Sequence, residues 1–335
     1  MGLGRRRFRL TTRTGLAACA AGLAIVAAAC GGSGGSAAGG GKITTVTLGY
    51  VPYADDAALF LAEQNGTFRK HGLDVKFVPA ANPTAVVAAM LSGQEQFGFL
   101  TTPVLANINA KGTPFKCVSS VDGGQPSNPS QDSTALVAAK GSGITSVKDL
   151  AGKNVGMVQL TSLNALAVDV LAKRAGISPS AVHQIVMPFP QMPAALSQGR
   201  IQAAVIVAPF INTAMAEGAT VIDHPNQLLF PGGTVTCLAA TGPYISQNAT
   251  VVSEFHAAMN QAITYAQAHQ AQAKAALPKY MTTLTPQAAA KQQLSTNWNP
   301  VLNPASVTQI ETYMKQFGQL PRIVPASSMI WSGAA

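Results

Sequence analysis

The sequence predicts a two-lobed α/β protein. Each lobe is expected to be a mostly parallel sheet flanked by helices, with the chain crossing between lobes twice. Three observations lead there. From residue 42 onward, short β-branched or apolar runs alternate with helical patterns, which implies parallel strands in covered sheets. Two segments rich in Gly, Pro, Ser and Asn, residues 122–132 and 225–233, break that rhythm and mark crossings. The 335 residues suit about two domains, and 47% hydrophobic against 10% charged residues excludes a disordered chain.

The elements follow in order. Residues 44–50 (TTVTLGY) are β-branched and read as a strand. Residues 55–71 carry Ala58, Leu59, Leu61, Ala62 and Phe68 at helical spacing, and Gly72 ends that helix. Residues 73–79 alternate as a strand, 84–91 are helical, and 96–100 form a short apolar strand. A helix is expected over 103–111, with Pro103 in its first position and Thr102 as its cap. A strand over 115–121 closes the first series. The second series has strands at 134–139, 154–158, 182–188, 202–207 and 220–223, and helices at 147–150, 162–175, 192–198 and 209–217. A strand at 234–240 and mostly helical sequence complete the chain. Lobe 1 is therefore expected at 43–125 and 234–335, and lobe 2 at 126–233.

The first 42 residues read as an address. Residues 1–13 hold Arg5, Arg6, Arg7, Arg9 and Arg13, residues 15–29 are small and apolar, and Ala27-Ala28-Ala29 precede Cys30. That order is an export signal at 1–29, and its apolar run is shorter than the roughly 20 residues a spanning helix needs. Small residues directly before a Cys resemble a bacterial lipobox, which implies cleavage before Cys30 and a lipid on it. Residues 30–42, nearly all Gly, Ser and Ala, form a tether. The whole chain carries a net charge of +9, but without residues 1–29 it holds 17 basic and 13 acidic residues, a net charge of +4. No basic run remains beyond Arg13, so nucleic acid is not an expected partner.

The mature chain resembles a known family. Leu48-Gly49-Tyr50-Val51-Pro52 leads to Ala57-Ala58-Leu59-Phe60-Leu61-Ala62, then Asn65-Gly66-Thr67-Phe68 and His71-Gly72-Leu73-Asp74-Val75. Lobe 2 adds Val147-Lys148-Asp149-Leu150-Ala151-Gly152-Lys153 and Ala195-Leu196-Ser197-Gln198-Gly199-Arg200-Ile201-Gln202-Ala203. This order over residues 44–325 resembles the solute-binding proteins of nitrate, sulfonate, taurine and thiamine-precursor ABC importers, with the type II periplasmic binding protein fold. The resemblance implies a monomer anchored to the outer face of the cytoplasmic membrane, exported by the twin-arginine or general route. It would bind a small solute in the interlobe cleft and deliver it to an ABC permease and its ATPase. It implies no catalysis and no cofactor. The fungal pyrimidine synthase of thiamine biosynthesis shares the fold, but its Cys-rich iron-binding segment has no counterpart here. One departure matters. Where the family often has an aromatic-acid-Pro triplet, this chain has Val207-Ala208-Pro209-Phe210, so the acid that resembles an ammonium partner is missing.

The candidate ligand contacts sit at strand ends and helix starts. Tyr53 offers a ring and a hydroxyl, and Asp55 follows it. Thr101 and Thr102 in lobe 1, and Gln159, Thr161 and Ser162 in lobe 2, could present hydroxyls and free N–H groups to an anion. Phe210 reads equally as core or as ligand wall. From these turns a sulfonate- or nitrate-like anion is the favoured solute, and a thiamine-pyrimidine heterocycle is the runner-up. The five histidines, His71, His183, His224, His256 and His269, have no metal-ligand spacing, and no metal is expected. Cys117 and Cys237 fall in strands that the resembled fold places in lobe 1 beside the crossings. An exported chain would hold them as a disulfide.

Overall fold

The computed structural model describes residues 43–121, 132–229, 236–292, 294 and 298–334. The signal segment, Cys30, the tether and most of both crossing loops lie outside the described residues. Among those described, ten strands run in chain order: β1 (Thr44–Tyr50), β2 (Leu73–Pro79), β3 (Phe97–Thr101), β4 (Phe115–Ser119), β5 (Thr134–Ala138), β6 (Asn154–Met157), β7 (His183–Val186), β8 (Ala203–Val207), β9 (Thr220–Asp223) and β10 (Thr236–Thr241). They form two mixed sheets, ordered β2-β1-β3-β10-β4 and β7-β6-β8-β5-β9.

Four strands of each sheet run the same way, and the fifth is reversed. β5 is antiparallel to β8 and β9, and β10 to β3 and β4. Both reversed strands come directly after a crossing, and the reason is geometric. The chain leaves each sheet at the end facing the other lobe, so the next strand begins at that end and runs away from it. Thr134 accordingly pairs with Val207, the last residue of β8, and Thr236 with Thr101, the last of β3.

Local chemistry moves several expected boundaries. The helix read over 55–71 is broken into Ala57–Gln64 and Thr67–Lys70, because Gly66 adopts a left-handed φ of 73°. Thr102 is not a cap but the first residue of the helix Thr102–Ala110, and it is fully buried. Part of the second expected loop folds as a short helix, Pro225–Leu229, with Pro at its start. At the helix Leu163–Arg174 the expected cap is present: the Ala165 N–H donates to Ser162 Oγ at 3.1 Å.

Lobe 1 is packed around stacked aromatics contributed by the C-terminal third. Phe255 lies 3.9 Å from Phe97, and Tyr280 lies 4.4 Å from Phe60, both nearly coplanar. The chain end returns beside β4, where the Trp331 N–H donates to the Cys117 carbonyl at 2.9 Å. Cys117 and Cys237 sit on neighbouring strands with Cα atoms 5.5 Å apart and their sulfurs within bonding proximity, inside the range that a bridge needs.

The helix Leu163–Arg174 joins the two halves. Leu163, Leu166, Ala167 and Val170 pack into the core of the first sheet, while Ala165, Val168 and Ala172 pack against the second. A helix apolar on both faces is the expected sequence for a position between two cores. Polar ties run alongside. Arg174 donates to the Tyr313 hydroxyl at 3.0 Å, and Gln319 Nε2 donates to Asp169 Oδ2 at 2.7 Å, while Gln184 Nε2 serves Asp169 Oδ1 at 2.9 Å.

Burial pushes the Asp169 carboxyl up to about 6, with the Gln184 and Gln319 hydrogen bonds acting the other way. A folded state that keeps its proton longer than the unfolded chain loses stability as pH rises between the two pKa values. The contribution of Asp169 should therefore fall from about pH 4 to about pH 6. In thermal melts, Asp169→Asn is expected to gain on the wild type across that window. A constant difference from pH 4 to 7 would remove Asp169 as the cause.

Candidate binding site

The site grows from the turn that follows β1. Tyr50 ends the strand, and the chain bends through Pro52 and a 3₁₀ turn at Ala54–Asp56. Tyr53, Ala54 and Asp55 each meet something from elsewhere. The Tyr53 ring lies between Phe99 of β3, at 4.9 Å, and Phe189 beyond the second sheet, at 5.5 Å. The Ala54 N–H donates to the Ala208 carbonyl at 3.2 Å. The Asp55 carboxylate accepts from the Ser133 hydroxyl, and its backbone carbonyl accepts from the Trp298 indole N–H at 3.0 Å.

These contacts enclose a cavity of about 30 Å³, room for about two waters. Tyr53, Asp55, Asp56, Phe99, Thr101 and Thr236 wall it on the side of the first sheet. Ser133, Thr134, Leu163, Asn164, Val207 and Asn226 wall it opposite. The polar lining combines a carboxyl, two hydroxyls and an amide oxygen. Both carboxyl oxygens of Asp56, Oγ1 of Thr101 and Thr236, and Oδ1 of Asn226 are buried without a hydrogen-bond partner. The amide nitrogens are already engaged: Asn226 Nδ2 donates to Thr134 Oγ1 at 3.0 Å and Asn164 Nδ2 to the Val205 carbonyl at 3.4 Å. No Lys, Arg or His is among these wall residues.

Asp56 is the costly member. It is fully buried, and a carboxylate removed from water without a partner is strongly disfavoured. Burial first, and the neighbouring Asp55 second, hold its pKa well above the usual carboxylate range. The Tyr53 backbone acts the other way and offsets part of this. The opposing positive element at the wall is the N-terminus of Leu163–Arg174. A helix end carries only about half a unit charge.

Of the residues singled out from sequence, Tyr53, Asp55 and Thr101 line this cavity. The others lie off its wall. Thr102 is sealed in its helix, and Thr161 is exposed. Ser162 spends its hydroxyl on the Gln159 carbonyl at 2.7 Å and on the helix cap. Gln159 instead faces lobe 1, where Thr84 Oγ1 donates to its Oε1 at 3.1 Å. Phe210 belongs to a core cluster with Phe189, Met192 and Val207. Asp56, Phe99, Asn164 and Thr236 went unread. Asp56 looked like an ordinary acid in a helix first turn, and nothing local distinguishes it. Among the described residues, no group of three or more His, Cys, Asp and Glu is placed to hold a metal ion.

The family model described as NMT1/THI5 like matches residues 54–273, about two thirds of the sequence. The chain belongs to the NMT1/THI5-like family. A putative thiamine biosynthesis protein of Haemophilus influenzae is 26% identical over 289 residues, covering 83% of this chain and 88% of that one. The 4-amino-5-hydroxymethyl-2-methylpyrimidine phosphate synthase of Schizosaccharomyces pombe is 29% identical over 122 residues, 36% of this chain and only 33% of its own length. Two solved structures share the fold. The ligand-binding component of an ABC-type import system from Staphylococcus aureus, solved with zinc bound, superposes with TM-score 0.72 at 17% identity, over 87% of this chain and 97% of that one. The periplasmic aliphatic sulphonate binding protein SsuA from Escherichia coli gives 0.69 at 19%, over 87% and 98%.

A buried acid that folding alone does not use should cost stability. At pH 7 and without solute, Asp56→Asn is expected to be more stable than the wild type by about 1–3 kcal/mol. Denaturant unfolding measures this directly. An equal or lower stability would mean that Asp56 is structurally satisfied.

Proposed function

We propose that this protein is an exported, lipid-anchored solute-binding protein of an ABC importer rather than an enzyme. It captures a small solute between its lobes and delivers it to a membrane permease. The shared fold with an import-system component supports the transport role, and the alignment over most of the chain with a relative named for thiamine biosynthesis supports a thiamine-related solute. The match to the pyrimidine phosphate synthase spans a third of that enzyme, which gives the enzymatic reading less support.

One observation carries the choice of solute: the buried, unpartnered Asp56 carboxyl in a wall without Lys, Arg or His. The Thr101 and Thr236 hydroxyls can donate or accept, but no basic side chain on the wall balances an anion beside Asp56. We therefore set aside the sulfonate- or nitrate-like anion and favour the runner-up, a solute bearing N–H donors. An aminopyrimidine fits the chemistry closely. It presents an amino donor beside a ring-nitrogen acceptor, and a carboxyl of raised pKa offers an acceptor beside an O–H. The proton can rest on either partner. Tyr53 and Phe99 supply aromatic surface for the ring. The Ala208 carbonyl accepts from the Ala54 N–H, so position 208 lies beside the turn that carries Asp56, and the Asp56 carboxyl would serve in place of the acid missing at Ala208. A ring exceeds the present cavity, so uptake requires the lobes to part at the crossings and close again.

Thermal shift and calorimetry of the purified protein test this. 4-Amino-5-hydroxymethyl-2-methylpyrimidine is expected to bind, and nitrate and methanesulfonate are not. Asp56→Leu should abolish binding, whereas Asp56→Asn, which can still pair with an aminopyrimidine, should retain part of it. Binding of the anions without the pyrimidine would overturn the assignment.

Export also sets the state of the cysteines. We place a lipid on Cys30 and a disulfide between Cys117 and Cys237, which would enclose the whole second lobe. Intact mass of membrane-extracted protein should give a chain starting at residue 30 with a lipid adduct. Thiol labelling of the denatured protein should find no free thiol before reduction and two after. A chain retaining residues 1–29, or two thiols before reduction, would refute the corresponding part.

A further inference from the structure

A second cavity lies outside the cleft, at the opposite end of the first sheet. It measures about 370 Å³, within the range of small-molecule sites. Met90 and Leu91, Pro114, Pro243 and Tyr244 give it an apolar wall. Its single charged lining residue is Glu95. Glu95 is 6% exposed, and its Oε2 is buried with no hydrogen-bond partner. The carboxyl is housed by an absence. It rests over the backbone of Gly49 in β1, where a Cβ would collide with it. Burial raises its pKa.

Folding does not account for this arrangement. Glu95 makes no ion pair, and it caps no helix. Its neighbour Gln96 shows what a structural polar residue does here: the Thr47 N–H donates to Gln96 Oε1 at 2.8 Å, and Gln96 Nε2 donates to the Gly93 carbonyl at 3.1 Å. A carboxyl set into a largely apolar recess with no basic side chain among its lining residues is the complement of a cation with an apolar body.

We propose that this recess is a second binding site, for a small organic cation whose ammonium or amidinium group meets Glu95 and whose apolar body lies against Met90, Pro243 and Tyr244. The site is independent of the cleft, since it shares no lining residue with it.

Benzamidine and benzamide make a matched probe pair, equal in shape and different in charge. Calorimetry would compare them on the wild type, Asp56→Leu, Glu95→Gln and Leu91→Trp. Asp56→Leu silences the cleft carboxyl. Leu91 is 57% exposed, so a Trp there can fill the mouth of the recess with little risk to folding. Benzamidine is expected to bind with a dissociation constant of about 1 mM or tighter, and at least about tenfold better than benzamide. That preference should survive Asp56→Leu, disappear in Glu95→Gln, and be lost with binding itself in Leu91→Trp. If Glu95→Gln does not fold, Leu91→Trp alone decides. No benzamidine binding to the wild type, binding lost in Asp56→Leu, or binding unchanged in Leu91→Trp would each overturn the proposal.

Discussion

The turn from Tyr53 to Asp56 is the constraint on which the cleft depends. Each sheet has its own core, and the two approach each other across a small polar space. Tyr53 is the side chain that packs against both cores, with Phe99 on one side and Phe189 on the other. Ala54 adds a backbone hydrogen bond, and Asp55 anchors through Ser133 and Trp298. With three of four residues committed to joining the lobes, the fourth is carried inside by the backbone. Asp56 is thus buried by its neighbours' contacts, not by its own.

Strands were the legible part of this fold, for a physical reason. A strand buried on both faces must be apolar along its length, and β3, β5 and β8 are buried throughout. Helix ends were less legible where glycine or a cap decides: Gly66 interrupts the helix inside the polar stretch of residues 63–67, where the Asn65-Gly66 pair is the turn signal. The site was read only in part. Sequence shows which residues follow a strand, and so Tyr53, Asp55 and Thr101 were within reach. It does not show how a hydroxyl is used. Ser162 looks like an anion ligand and is consumed by its own helix. Nor does it show that one acid among two adjacent ones is sealed from water. The Ala208 substitution illustrates the same limit. The sequence shows the missing acid, and it does not show that the turn preceding Asp56 is hydrogen-bonded to that position through Ala54.

The reversed strands β5 and β10 each begin at the end of their sheet where the preceding strands of that sheet finish. Ser120, just past β4, donates through its hydroxyl to the Thr236 carbonyl of β10 at 2.7 Å. The end of β4 and the start of β10 are therefore tied together where the chain leaves and re-enters the first sheet. Two connections rooted side by side would permit the rotation that the proposed uptake of a solute requires.

The helix Leu163–Arg174 adds a thermodynamic consequence. Because one of its faces belongs to the core of the first sheet, the proposed parting of the lobes would withdraw Leu163, Leu166, Ala167 and Val170 from that core and wet them. Opening would then be a fraction of an unfolding reaction, with the heat-capacity increase that accompanies hydration of apolar surface. Its enthalpy would change with temperature, and the balance between open and shut lobes would differ between a cold and a warm cell even where the affinity of the shut form for a solute is the same.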